Sequence, residues 1–136
     1  MGILRAINTI FHKMEAAHQK RDPTDEAELD ANFHMAIIEA SHNIVMLHMM
    51  RSMYDLLRQG VFYNRQMMFK NRLTRDMLLN QHRAINTAIQ TRDPRAARAA
   101  VEVHLDYVKQ SMTDQIKAAQ NDAVAQQRLQ REKNRP

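Results

Sequence analysis

Apolar residues recur every three or four positions along most of this chain, which is the period of an amphipathic α-helix rather than of a strand. The first such stretch covers residues 3–20, and the second runs to about residue 40. Alternation of apolar and polar residues, which is typical of a half-buried strand, is absent over any useful length. The pattern therefore predicts an all-α protein. The apolar positions of the first stretch are Ile3, Leu4, Ile7, Ile10, Phe11, Met14 and Ala17.

Short polar segments divide the pattern into five predicted helices. Asp22 or Thr24 can cap the second helix, with Pro23 in its first turn. The same combination of an acidic cap and a following proline begins the fifth helix at Asp93, and Asn43 is a good cap for the third. The third helix is predicted to fade near residues 69–71, the fourth to span about 73–91 and the fifth to begin at 94. We expect short loops and an antiparallel helical bundle.

The apolar stripe of the fifth helix thins after Ile116, and the residues beyond Gln120 are rich in Gln, Arg and Lys. We therefore expect a helical domain over residues 1–118. Residues 119–136 are expected to form either an exposed polar helical extension or a disordered tail.

Composition narrows the class of protein. The chain has 136 residues, which is enough for one domain, and it contains only two glycines and three prolines. It contains no cysteine, and this absence excludes disulfides and thiolate metal sites. There is no apolar run long enough for a signal peptide or a membrane span, so we expect a cytoplasmic protein without a membrane partner. The net charge is +5, but the basic residues are scattered and no helix-turn-helix pattern is visible. Direct DNA binding by this chain is not expected.

Four residues able to bind a metal lie on or beside the apolar stripes of three different predicted helices. Asp30 and His34 are four residues apart and project from one face of the second helix. His82 lies in the stripe of the fourth helix and His104 in that of the fifth. Burial of such groups is costly unless they have partners, and one divalent metal ion satisfies all four.

Imidazole and carboxylate together suit several divalent ions, of which we expect Zn or Ni. A single core histidine is more often held by a hydrogen bond than by a metal. A metal centre is favoured here because ligand-capable residues occur together on or beside the apolar stripes of three helices. The other four histidines are interpreted as structural or solvated, and the methionine series as core. Those histidines are His12, His18, His42 and His48.

Three segments of the chain resemble FCD domains, the effector domains of the FadR branch of the GntR family of transcription regulators. From Asp30 to Asn43 the residues resemble the pattern D-x-x-F-H-x-x-I-x-x-A-x-x-N. From Gln81 onward they resemble E-H-x-x-I-x-x-A-I, and the segment that begins at Arg92 resembles G-D-x-x-x-A, followed further on by the pair His104-Leu105. The order and spacing match from about residue 3 to about residue 116.

The resemblance implies that Asp30, His34, His82 and His104 are metal ligands, and that a small carboxylate effector meets the metal in the same pocket. Residues 41–47 look closest to regulators of lactate, glycolate or pyruvate metabolism. Members of the family usually form homodimers and contact DNA through a winged helix-turn-helix domain on the N-terminal side. The resemblance thus implies a non-enzymatic, ligand-sensing domain.

The chain departs from the family pattern in three respects. It has no winged-helix segment, and it lacks a counterpart of the first FCD helix, which in relatives carries an arginine and a glutamate. Gln81 stands where the family usually has Glu. We therefore expect a fragment of a longer regulator, with a pocket that is open on one side or is completed by another chain.

The sequence also contains candidate effector-binding residues and leaves two rival functions open. Asn43 follows the second helix and is a candidate contact to the carboxylate, although capping is its expected role, and Arg51 and Arg58 can supply positive charge. One rival is a metal-dependent hydrolase, which requires a general base that we do not find among unassigned acids. The other is a metal-free helical dimerisation module.

Overall fold

A computed structural model of the chain describes residues 2–54, 56 and 72–135. Within these residues the secondary structure is helical, without strands, as the apolar periodicity predicts. Arg58 and the predicted continuation of the third helix to residues 69–71 lie outside the described residues. The helices are α1 (Ile3–Lys20), α2 (Pro23–Ala40), α3 (Ile44–Ser52), α4 (Arg72–Gln90) and α5 (Pro94–Lys133).

The helix boundaries follow the capping signals in the sequence. The side chain of Asp22 accepts a hydrogen bond from the backbone N–H of Asp25, so Asp22 rather than Thr24 caps α2. Asn43 accepts from the N–H of Met46 at the start of α3, over 3.0 Å. These contacts confirm the predicted starts of both helices.

The turn before α5 has the same construction. Arg92 has a φ of 57°, in the left-handed region, and reverses the chain after α4. Asp93 then accepts a hydrogen bond from the N–H of Ala96 over 3.0 Å, and Pro94 occupies the first position of α5. The sequence Asp-Pro therefore sets the start of α5, the helix that carries His104.

Side-chain contacts define the helix directions. Gln90 donates to the backbone carbonyl of Leu4, and His18, at the other end of α1, lies 3.0 Å from Asp76. Because residue numbers rise along α1 as they fall along α4, the two helices are antiparallel. This arrangement confirms the predicted helical bundle and places the carboxyl end of α1 beside the start of α4.

The core lies where α1, α2 and α4 meet. Phe11 and Phe33 contact each other with ring centroids 6.5 Å apart, and both are almost fully buried. Ile85 of α4 completes the cluster with no exposed surface. Phe33 also directly precedes His34, so the residue that anchors α2 in the core fixes the position of a candidate ligand.

Most apolar residues of α3 are exposed, which corrects the prediction that they belong to the core. Met46, Met49 and Met53 are all exposed, and none of the residues of α3 is buried. The prediction that the methionine series belongs to the core is therefore wrong for α3, although Met14 and Met35 are buried. The physical reason is that α3 is only nine residues long and, among the described helices, packs mainly against α2.

Two compact units divide the chain, residues 1–104 and residues 105–136. The first unit contains the buried core and all four predicted metal ligands. The second is the distal part of α5, whose described residues are exposed or only partly covered. Among the described residues, no helix combines the length and apolar character that a membrane crossing requires.

Candidate metal centre

The second helix supplies a buried carboxylate and an imidazole one turn apart. Asp30 is only 4% exposed, and its Oδ1 lies 3.0 Å from Nε2 of His34. Residues four apart share a helix face, which explains why these two side chains meet. The opposite oxygen of the same carboxylate, Oδ2, lies 3.6 Å from Nε2 of His82 on α4. Asp30 thus lies between two imidazoles from different helices.

The third imidazole comes from α5. The ring of His104 is stacked on that of His34 at 5.4 Å and lies 4.4 Å from the ring of His82, centroid to centroid. One nitrogen from each of these three residues falls within 4.8 Å of the other two. We call His34, His82 and His104 the His cluster. The structure therefore brings together all four residues that the sequence singled out.

Burial sets the charge of His34, the most exposed member of the His cluster. His82 and His104 are 1% and 3% exposed. The side chain of His34 is 28% exposed, so the cluster reaches solvent on the side of His34. Burial lowers the pKa of His34 to about 4. Its ring is therefore neutral near pH 7, and a neutral imidazole has the lone pair that a metal requires.

The donor set fits a divalent metal ion. Three imidazole nitrogens and one carboxylate are ligands that Zn and related ions accept, and facing helices of a bundle commonly supply them. The 3.0 Å contact between Oδ1 of Asp30 and Nε2 of His34 also places the carboxylate beside the ring nitrogens. When bound, the ion would offer open coordination positions and Lewis-acid character to an anionic ligand.

Sequence reasoning missed one polar residue of this site. Gln81 is 9% exposed, and its Oε1 lies 2.9 Å from Nδ1 of His104. Because Gln81 directly precedes His82, its side chain projects from a different side of α4, and there it contacts α5. Its position beside a candidate ligand could have drawn attention to it, but helical phase alone does not identify which helix it contacts.

A second polar group lies on the other side of His82. A small cavity is lined by Met14, Glu26, Arg75, Leu79 and His82. Nε of Arg75 lies 3.5 Å from Oε1 of Glu26, and both side chains are largely buried. The signal for this pair was present in the sequence, because Glu26 precedes Asp30 by one turn and Arg75 precedes His82 by two.

His18 belongs to the same polar group, which agrees with its interpretation as a structural residue. Its Nε2 lies 3.0 Å from Oδ1 of Asp76, and its Nδ1 lies 3.9 Å from Oε2 of Glu26. The pKa of His18 is lowered, first by burial and then by the positive charge of Arg75. The remaining three histidines, His12, His42 and His48, are exposed.

The described effector candidates, Asn43 and Arg51, make their polar contacts away from the His cluster. Asn43 is exposed and caps α3. The guanidinium of Arg51 lies 3.7 Å from Glu39, and more than half of each side chain is exposed. A role of these residues in effector binding stays a prediction, and Arg58 lies outside the described residues.

Comparison with known proteins identifies the class. The profile of the FCD domain matches residues 2–107. The putative L-lactate dehydrogenase operon regulatory protein of Escherichia coli K12 is 41% identical over 91 residues, which is 67% of this chain and 35% of that protein. The Glc operon transcriptional activator of the same strain is 31% identical over 111 residues, or 79% of this chain and 44% of that protein. The Uxu operon transcriptional regulator is 30% identical over 86 residues.

The chain belongs to the FCD domain family, within the GntR regulators that the sequence resemblance indicated. The matched part of the chain covers 35% to 44% of the length of the first two relatives. All three are named as regulators of operons and none as an enzyme, which agrees with the prediction of a non-enzymatic domain.

Proposed function

We propose that this chain is the ligand-sensing domain of a bacterial transcription regulator. In this proposal Asp30 and the His cluster hold a divalent metal ion, Zn or Ni, and a small carboxylate binds at its open positions. The single observation that carries the proposal is the convergence of the His cluster, in which nitrogens from three helices lie within 4.8 Å of one another. Membership of the FCD family supports the regulatory role.

The chain's own residues prepare the site for an anion. Asp30 supplies one negative charge, so a divalent ion held there would leave one net positive charge on the ion and its four ligands. Buried charge of that kind attracts an anion strongly, because the surrounding protein screens it less than water does. The partly exposed His34 marks the side from which a small ligand would enter.

The ligand class that we propose is a 2-hydroxy or 2-oxo acid. Such acids carry a carboxylate and a neighbouring oxygen, and both can occupy adjacent open positions of one ion. The printed name of the 41% identical relative refers to a lactate dehydrogenase operon, which supports lactate as the first compound to test. Arg51 and Asn43 remain candidates for further contacts to the acid.

In the whole regulator we propose a homodimer that contacts DNA through a separate winged-helix domain, with residues 1–118 as the sensing part of this chain and residues 119–136 as an extension. Effector binding alters DNA binding only if the two conformations of the regulator bind the effector with different affinities.

Calorimetry tests this proposal in two steps. Metal-free chain is titrated with Zn²⁺ or Ni²⁺, and we expect one ion per chain. The loaded chain is then titrated with lactate, glycolate and pyruvate, and with lactamide, which has the size of lactate but no carboxylate. We expect binding of at least one acid and none of lactamide.

Two variants make the calorimetry specific. His82→Ala is expected to lose the metal and the acid together, whereas His48→Ala, which changes an exposed histidine of α3, is expected to retain both. Absence of metal binding by the wild-type chain, or of heat from every acid with the loaded chain, would contradict the proposal. Turnover of an ester substrate that is lost in His82→Ala would instead indicate a hydrolase.

A further inference from the structure

A buried hydrogen bond links the His cluster to a neutral side chain outside it. Oε1 of Gln81 lies 2.9 Å from Nδ1 of His104, and both residues are at most 9% exposed. The contact joins α4 to α5 at the level of the cluster. Buried polar groups of this kind are held in one arrangement, because losing the partner leaves a desolvated donor or acceptor.

The chemistry of this contact determines where the proton of His104 lies. An amide oxygen can only accept, so the facing Nδ1 must carry the proton and donate it. A neutral imidazole has one ring proton, and Nε2 of His104 is therefore the nitrogen with the lone pair. That is the form in which Nε2 can bind a metal without first losing a proton.

His34 provides a contrast within the same cluster. Its Nε2 lies 3.0 Å from Oδ1 of Asp30, and an ionised carboxylate also only accepts. When Asp30 is ionised, the nitrogen of His34 that faces it is therefore the one that carries the proton, and this proton must move before that nitrogen binds an ion. His104 is already arranged for binding, whereas His34 is not.

We propose that Gln81 is a positioning residue of the metal centre, whose amide oxygen holds His104 in the Nδ1–H tautomer and directs Nε2 toward the ion. The proposal rests on the metal-binding function proposed above, which it deepens. Partners that hold the second nitrogen of a metal-binding histidine typically change metal affinity by 10–100-fold when they are removed. Gln81 performs this role without adding a charge to the site.

Two substitutions of Gln81 separate acceptor chemistry from packing. Gln81→Leu has a similar volume and no acceptor, so Nδ1 of His104 loses its partner and the ring can adopt the other tautomer. We expect metal affinity to fall by about 10–100-fold. Gln81→Glu keeps an acceptor at the same distance along the side chain, so we expect the tautomer to persist and affinity not to fall.

A matched control lies on the same helix. Gln90 is a partly buried glutamine whose hydrogen bonds reach the carbonyl of Leu4 and the side chain of Asn86 rather than the His cluster. Gln90→Leu therefore reproduces the loss of a glutamine from α4. We expect it to leave metal affinity unchanged, even if it lowers the stability of the fold.

The experiment has a readout that does not require metal. Long-range proton–nitrogen correlation spectra of the metal-free chain of 136 residues report which nitrogen of each histidine carries the proton. We expect His104 to be in the Nδ1–H form in the wild type, in Gln81→Glu and in Gln90→Leu. In Gln81→Leu we expect that form to be partly or wholly lost, and Zn²⁺ calorimetry to give the weaker affinity.

Each outcome has one meaning. Unchanged affinity and tautomer in Gln81→Leu, with a wild type that binds Zn²⁺, would overturn the role of Gln81 alone. If Gln81→Leu does not fold, the glutamate variant decides, because a tenfold loss of affinity there would overturn the proposal and an affinity equal to or above wild type would support it. A wild-type chain that binds no ion would overturn the metal centre itself, and the role of Gln81 with it.

Discussion

At the scale of single residues, the proposed site depends on an imidazole that burial keeps neutral. His34 illustrates this, because its pKa of about 4 results from burial although part of the side chain still reaches solvent. A neutral ring has one nitrogen with a lone pair for a metal ion once its single proton lies on the other nitrogen, whereas a protonated ring would repel a cation. The low pKa of His34 is thus a property that the proposed function requires.

The pH dependence of stability tests this property in the metal-free chain. The imidazole of His34 titrates near 6.5 when unfolded and near 4 when folded, so between these values the unfolded chain binds more protons. The free energy of unfolding should therefore fall as the pH drops from about 6.5 toward 4, by at most about 1.4 kcal/mol per pH unit for this one group. Urea unfolding at several pH values in this window measures the slope.

Two variants assign the slope to its residue. His34→Gln cannot titrate and should have a shallower slope than the wild type, while His48→Gln, which changes an exposed histidine outside the His cluster, serves as the control. The same slope in His34→Gln as in the wild type would show that this imidazole is not held neutral by the fold.

The residues of the site could be predicted to different degrees. The pair Asp30 and His34, and the positions of His82 and His104, follow from helical phase, because a polar group on or beside an apolar stripe must face or border the interior. Gln81 could not be found this way. Its contact depends on the distance and rotation between α4 and α5, which a periodic pattern along one helix does not contain.

At the scale of elements, α5 contributes a single buried described residue, His104, and its start is fixed by Asp93. The cap lies eleven residues before His104, which corresponds to roughly 17 Å along the helix. Fraying of the first turn should therefore weaken the fold without moving the ligand.

Removal of this cap gives a prediction for stability. Asp93→Ala loses the acceptor for the N–H of Ala96 and should lower the free energy of unfolding by about 1 kcal/mol, within a range of about 0.5–2. Asp93→Asn keeps an acceptor and should lose much less. Urea unfolding compares the three chains, and Zn²⁺ affinity should be similar in all of them. Equal stability of the alanine variant and the wild type would contradict the capping role.

For the described helices, apolar periodicity predicts the helix boundaries but not which helix faces are buried. The boundaries of α1 and α2 agree with the apolar repeat and the capping residues, because these signals are local. The exposure of α3 was not predictable in the same way. An amphipathic repeat indicates which face of a helix is apolar, but whether another element covers that face depends on the packing of the whole bundle.

At the scale of the whole molecule, the proposed centre joins α2, α4 and α5, and its members extend from Asp30 to His104 along the chain. All of them lie within the first compact unit. An ion bound there would link three helices and would stabilise the folded chain by about 2.7 kcal/mol at a free concentration one hundred times the dissociation constant. A ligand on that ion could then influence the packing of all three helices.

The most direct test of the central claim is X-ray absorption at the metal edge of the chain loaded with one equivalent of Zn²⁺. We predict a first shell of nitrogen and oxygen atoms at about 2.0–2.2 Å, with the scattering signature of three imidazoles. In a His104→Ala chain one imidazole should be lost, or the ion should not bind. A shell of oxygen atoms alone, or a spectrum that is the same in the wild type and in His104→Ala, would contradict the proposed metal centre.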